Sequence, residues 1–342
     1  MSVRFVEVWP GRLELRNGER SEPPEGWALV RVEACGVCGT DLHLYEGMEL
    51  PRGVSYPVRP GHEVAGVVLA GGGGRVRDGD RVVLHPVLPC GACAACAAGR
   101  ENRCRTAGVL GIDHPGGLAD ELAWPVARMV SVTGMPAERA AVLPDAVASA
   151  HHALRLSDLP AGGALTVIGA GGVGAHVLQL ARLLDSGARL TAVVRSAGTA
   201  DRIERLGLGV TVVPGGLEGA ARRVLDASGP QDAVVEYGAG AAAAAEALPM
   251  LARGGRLVLG SVGEEPLELG ATLTTVVTRE LQVLGSYAST LADLEAVAGL
   301  ALAGRLDLSA SVSHRVPLAD AEAAIRLLAE RPPGLARVVV LP

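Results

Sequence analysis

Up to about residue 147, apolar residues come in short runs, among them ALVRVEA, EVAGVVLA, DRVVLHPV and ELAWPV, each broken off by glycine or proline. Valine-rich runs of this length, bounded by turn formers, predict strands, and so a small irregular β domain. From about residue 150 the pattern changes to strands alternating with helical stretches, which predicts a parallel sheet covered on both faces. Six segments, ALTVIG, RLTAVV, VTVV, DAVVEY, RLVLGS and LQVLGS, are the expected strands of one doubly wound sheet. After the first of them, Val173, Val177, Leu180 and Leu184 recur at helical spacing, with Gln179 and Arg182 on the opposite face. The alanine run 241–245 reads as an ordinary helix, since alanine is the best helix former. Beyond residue 287 two further helices are expected. The first opens at Thr290 with Asp293 three residues on and stops at Gly304; the second ends at Pro332 and Pro333. A last strand, ARVVVLP, is surplus to the six and is expected to return to the N-terminal domain. The chain therefore divides into residues 1–147, 148–286 and a return segment 287–342, with a lobe at 89–105 set into the first.

Composition narrows what such a fold can do. Hydrophobic residues make up 49% of the 342, yet there is one Phe, three Trp and four Tyr, so the cores must be built from Ala, Val and Leu and any pocket is mainly aliphatic. The formal charge of −6 comes without a basic block, which leaves no electrostatic footprint for nucleic acid. Apolar runs such as GGRLVLGSVG stop well short of a bilayer crossing, and MSVRFVEVWPGRLELR lacks the apolar core of a secretory signal. The expectation is a cytoplasmic protein with no nucleic-acid or membrane partner.

Chemistry concentrates in three places. Cys90, Cys93, Cys96 and Cys104 are separated by two, two and seven residues, a spacing that lets one loop wrap four thiolates around zinc and leave no open position. Zinc is preferred to a disulfide knot because the expected compartment is reducing. The strand ALTVIG runs directly into Gly169, Ala170, Gly171, Gly172, Val173 and Gly174 and then a helix, the GxGxxG arrangement in which a dinucleotide pyrophosphate meets a helix N-terminus. About 20 residues on, a site for NAD would carry a carboxylate for the ribose hydroxyls. Here Arg195 and Ser196 stand after Val194, suited to a 2′-phosphate, so NADP is favoured over NAD. The third place holds Cys38 and His62; with a downstream carboxylate they would give zinc three ligands and leave the fourth position open, as catalysis requires.

Together CGVCGTDLH, GHEVAG, the four-cysteine lobe and GAGGVG resemble the zinc-dependent medium-chain alcohol dehydrogenase family over essentially the whole chain. The resemblance implies an α/β protein: a GroES-like β-rich catalytic domain plus a doubly wound parallel-sheet Rossmann domain. It implies two zinc ions per chain, one catalytic and one structural. It makes Cys38 and His62 catalytic ligands and puts the third at Asp145, with Glu63 as the alternative oxygen ligand. Asp41 is expected to accept a hydrogen bond from His62. Thr40 and His43 match the family's proton relay, whose alternative is a turn-capping threonine and a surface histidine. Cys35 matches no ligand position, and the remaining histidines carry no motif. The implied reaction interconverts an alcohol, as secondary alcohol, polyol or sugar, with its ketone or aldehyde by hydride transfer. CGTDLHLYEG looks closer to polyol, sugar and threonine dehydrogenases than to ethanol enzymes, although Tyr45, Glu46, Pro86 and Trp124 near the expected pocket name no substrate. A homodimer or homotetramer is implied. Two competitors remain at this point: a zinc-free quinone or enoyl reductase of the same superfamily, and a non-catalytic nucleotide-binding protein.

Overall fold

A computed structural model describes residues 2–20 and 22–342. The chain opens with a hairpin of β1 (Ser2–Trp9) and β2 (Arg12–Glu19). Then come β3 (Trp27–Val37), α1 (Gly39–Glu46), β4 (Glu63–Ala70), β5 (Arg81–Leu84) and β6 (Val87–Leu88). The run DRVVLHPV is thus two strands rather than one, because Pro86 offers no N–H to a ladder. A loop with the one-turn α2 (Ala94–Ala97) follows, then β7 (Gly108–Val109) paired to β6, β8 (Glu121–Pro125), β9 (Met129–Ser131), the short α3 (Ala137–Ala140) and α4 (Ala148–Ser157).

Next come β10 (Ala164–Ile168), α5 (Gly174–Leu184), β11 (Arg189–Val193), α6 (Ala197–Arg205) and β12 (Thr211–Val213). They are followed by α7 (Ala220–Ser228), β13 (Gln231–Glu236), α8 (Ala242–Met250), β14 (Leu251–Leu259), α9 (Leu273–Thr278) and β15 (Gln282–Gly285). The chain closes with α10 (Leu291–Leu302), β16 (His314–Pro317), α11 (Ala321–Glu330) and β17 (Val338–Leu341).

These elements form two compact units, one from Met1–Ala148 and Ala288–Pro342, the other Ser149–Tyr287. In the first, a sheet runs in the order β16-β17-β3-β4-β5-β9, with β8 also paired to β3. Every pair is antiparallel except β16 with β17. The expected terminal strand does return here: Val338 pairs with Val37 and Val340 with Cys35, so β3 is flanked on both sides near its end. The core beneath is aliphatic, with Val30, Val64, Leu84, Leu118 and Val338 buried around Trp124.

In the second unit the six expected strands make one wholly parallel sheet in the order β12-β11-β10-β13-β14-β15. The order reverses between β10 and β13, and at such a switch point a crevice opens past the carboxyl ends of the strands. Helix α5 presents Val177, Leu178, Leu180 and Ala181 as its buried face. Leu184, expected in that stripe, is 56% exposed; it is the last helical residue before extended Asp185. Helix α10 begins with the expected reciprocal cap: Thr290 accepts from the Asp293 N–H while the Asp293 carboxylate accepts from the Thr290 N–H. No helix among the described residues is long and apolar enough to cross a membrane.

Candidate metal centres and nucleotide crest

In the first unit Cys38 follows β3 directly and stands as the first cap residue of α1, while His62 immediately precedes β4. Pairing of β3 with β4 therefore brings the two side chains together, Cys38 Sγ lying 3.1 Å from His62 Nε2. Asp145 enters from a single π turn in which the Val147 N–H donates to Val142 O (3.2 Å), and its Oδ2 is 3.8 Å from His62 Nε2. One donor atom from each of Cys38, His62, Glu63 and Asp145 lies within 4.8 Å of all the others. For zinc with bonds near 2.3 Å to sulfur and 2.0 Å to nitrogen, a tetrahedral S···N edge is about 3.5 Å, so a thiolate, an imidazole and a carboxylate here suit that ion.

Asp41 does not reach His62 as expected. Its Oδ2 accepts from the Cys38 N–H (3.0 Å) and its Oδ1 from the Gly61 N–H (3.1 Å), so it ties together the two backbone segments that carry the donors. Gly61 has φ +98°, and a Cβ there would meet Cys35 Sγ at 2.7 Å, so His62 can be delivered only behind a glycine. Cys35 is the buried small residue expected, with burial pushing its thiol well up.

Burial also pushes the Cys38 thiol up, and the facing His62 opposes it. For His62 burial works against the charged form, but Cys38 and Asp145 hold it well above ordinary histidine values. Asp145 is likewise held well below the usual carboxylate range by His62, against its own burial. Glu63 is wholly buried, and burial pushes it up to about 8 against the pull of Arg337, whose Nη1 is 3.2 Å from its Oε1. Arg337 Nη2 lies 3.9 Å from Asp145 Oδ2. Nothing in the sequence singles out Arg337. Thr40 and His43, half-buried, occupy α1 three residues apart and so share a face. Of the residues expected to line a pocket, Trp124 is instead fully buried, its indole N–H donating to His85 O (3.0 Å). Tyr45 donates to Glu322 (3.2 Å).

The four cysteines of the lobe converge as well, with their sulfurs all within 4.8 Å of one another and none in a disulfide. Cys93 and Cys96 sulfurs are 3.5 Å apart and those of Cys90 and Cys96 4.0 Å, which brackets the S···S edge of about 3.8 Å in a tetrahedral zinc–thiolate site. The Cys90 N–H donates to Cys104 Sγ (3.4 Å), and this bond leads the effects that bring Cys104 down to about 6, favouring the thiolate a metal needs. Glu101, within the lobe, accepts from the Leu291 N–H at the start of α10 (2.7 Å).

In the second unit the glycine turn leaves β10 at the switch point. Gly169 has φ +84°, and a Cβ on it would run into Tyr237 O. A Cβ on Gly174 would run into Gly169 O and come within 3.0 Å of Val167, whereas one on Gly171 would meet nothing within 4 Å. The first and third glycines thus serve the fold, and the middle one leaves its backbone open at the amino end of α5, a cradle that fits a pyrophosphate. Gly172 and Val173 complete the turn before that helix. Past the neighbouring strand β11, Arg195 is exposed and Ser196 caps α6, accepting from the Thr199 N–H (3.3 Å). Arg202 on α6 donates to Ala170 O within the turn (2.6 Å), and its guanidinium is lowered by burial and then by Arg205. That contact, invisible in sequence, braces the turn from the adjacent helix.

Residues 24–134 match the alcohol dehydrogenase GroES-like domain and residues 172–303 the zinc-binding dehydrogenase domain. The chain is 31% identical over 326 residues to D-altritol 5-dehydrogenase of Agrobacterium fabrum, covering 93% of each sequence. Among solved structures it is similar to one from Sinorhizobium meliloti described as a putative zinc-binding dehydrogenase bound to NADP (28% identity, TM-score 0.88, all of both chains). A cobalt- and zinc-bound thermostable alcohol dehydrogenase from Pyrobaculum aerophilum aligns equally completely (28% identity, TM-score 0.87).

Proposed function

The chain belongs to the zinc-containing medium-chain alcohol dehydrogenase family, and from that membership we propose that it oxidises a polyol or other secondary alcohol, or reduces the matching ketone, with NADP as its preferred cofactor. The observation that carries the reading is the convergence of Cys38, His62, Glu63 and Asp145 donors apart from a second cluster of four thiols. A zinc-free reductase has no use for either cluster. The named activity of the altritol enzyme supports a polyol, while the scarcity of aromatic residues suits an aliphatic secondary alcohol as well.

Cys38, His62 and Asp145 would hold the catalytic zinc, with Arg337 pairing Glu63 and so favouring Asp145 as third ligand. Cys90, Cys93, Cys96 and Cys104 would hold the second ion. When bound, zinc supplies a Lewis acid for the substrate oxygen and the nicotinamide supplies the hydride acceptor. The rest falls to the chain. The Thr40 hydroxyl, two residues beyond Cys38, takes the proton of the substrate hydroxyl, and His43 on the same helical face carries it outward. In the reverse direction Thr40 donates. Gly169 and Gly174 shape the turn, Gly171, Gly172 and Val173 offer backbone N–H groups to the pyrophosphate, and Arg195 with Ser196 binds the adenosine 2′-phosphate.

A homodimer or homotetramer completes the proposal. In support, Leu273, Val277 and Tyr287 are exposed on the segments flanking β15, an edge strand of the parallel sheet, and a sheet edge of that kind is usually covered.

The test is a panel of polyols, secondary alcohols and amino alcohols assayed with NADP and NAD in parallel, alongside zinc analysis. Turnover of a polyol with NADP and two zinc per chain is expected. Zinc bound only at the lobe, or no turnover of any alcohol, would overturn it. Cys38→Ser is expected to abolish turnover with the fold retained.

A further inference from the structure

Glu236 ends β13 with a side chain only 1% exposed, at the switch point of the parallel sheet. Its Oε1 accepts from the Ala239 N–H (2.7 Å), the Gly240 N–H (3.1 Å) and the Ser261 hydroxyl (2.7 Å), and its Oε2 from the Ser261 N–H (3.3 Å). Ser261 Oγ in turn accepts from the Gly238 N–H (2.6 Å). One carboxylate thereby shapes the segments after β13 and after β14 together. The set extends to the strand next door, where the Tyr237 N–H donates to Ile168 O (2.9 Å) and Tyr237 O packs against Gly169. Three neighbouring strand ends, those of β10, β13 and β14, are locked into one surface. The dinucleotide of the proposed function lies along such a surface.

We propose that Glu236 is a positioning residue for the dinucleotide, holding residues 237–240 and 260–261 in the one arrangement that leaves the crest open to the cofactor. A carboxylate is needed because it offers about four acceptor positions and no donor. A glutamine that keeps its oxygen at the Oε1 position would turn its NH2 group toward the Ser261 N–H and leave that donor unmatched in a buried site. The rigid site costs less on binding than one that must order two glycine-containing loops first.

This inference rests on the dehydrogenase reading, so the zinc-loaded wild-type enzyme is titrated first with NADPH and with NADH. Failure to bind either would sink the function along with the inference; binding of one supplies the probe. In Glu236→Gln the dissociation constant for that dinucleotide is expected to rise ~10-fold or more, as the loss of charge-assisted hydrogen bonds implies. Its KM should rise further than kcat falls, with zinc content kept. Ser261→Ala, which removes one donor and leaves the carboxylate, should shift binding in the same direction by a smaller factor, and Ser261→Thr should restore it. Should Glu236→Gln fail to fold, the serine pair decides. Wild-type dinucleotide affinity in a folded Glu236→Gln or Ser261→Ala enzyme, whatever happens to the melting temperature, would reduce Glu236 to a structural cap and overturn the proposal.

Discussion

The Glu63 carboxyl is enclosed between β3 and β4, and the cation it faces, Arg337, arrives just ahead of β17. The two members of this buried pair are not equivalent. A carboxyl left alone can take up a proton, whereas a guanidinium keeps its charge under all ordinary conditions. Glu63→Leu leaves that cation with Asp145, 3.9 Å away, as its nearest remaining anion and is expected to cost about 1–3 kcal/mol in urea unfolding, Arg337→Leu clearly less; the opposite ranking would refute the account. At the crest, Arg195→Ala is expected to raise KM for NADP about tenfold to a hundredfold and leave KM for NAD nearly unchanged, in steady-state assays with each cofactor. Cys38, His62, the four lobe cysteines and the glycine turn are legible in the sequence because their chemistry is tied to residue type at short fixed spacing. Arg337 and Glu236 are not, because a lone arginine before a valine run or a lone glutamate closing a strand takes its meaning from partners that only folding supplies. The partner chosen for Asp41 fails for the same reason: the sequence offers an imidazole, while the folded loops offer two backbone N–H groups closer to hand.

Between elements, the connection from the end of β5 to the start of α10 runs through His85. Its Nδ1 faces Arg128 and its Nε2 donates to Ser289 O (3.1 Å), while Glu101 joins Arg128 to the first N–H of α10. With one ring nitrogen accepting and the other donating, the imidazole must be neutral. Burial, reinforced by Arg128, lowers it to about 3. An unfolded chain protonates this histidine near 6.5 and the folded chain does not, so the stability it brings is complete above pH 6.5 and declines as pH falls toward 3. Urea unfolding at pH 7 and pH 5 should show the wild type losing about 2 kcal/mol more over that interval than His85→Asn; equal losses would deny the linkage. Most elements could be read from the chain because their apolar spacing is strong, as in all six parallel strands. The hairpin strand β2, RLELRNGE, and the four-residue β16, HRVP, carry too few apolar residues to stand out, and they exist because neighbouring strands offer them a ladder.

On the scale of the whole molecule, one unit is continuous in sequence and the other is assembled from two separated stretches. In the assembled unit β17 is no edge decoration, since it sits between β16 and β3 and meets β3 next to the cysteine that begins the metal site. A chain ending at residue 334, without β17 or Arg337, is therefore expected to drop from two zinc per chain toward one, the lobe's own, by metal analysis. The same topology sets a timetable on the ribosome. Residues 149–287 can close their sheet as soon as they emerge, whereas residues 35–37 of β3, made long before, lack their partner strand β17 until residues 338–340 are out. A stretch made before the parallel sheet thus matures after it, and it is there, during synthesis, that a chaperone would have most to guard.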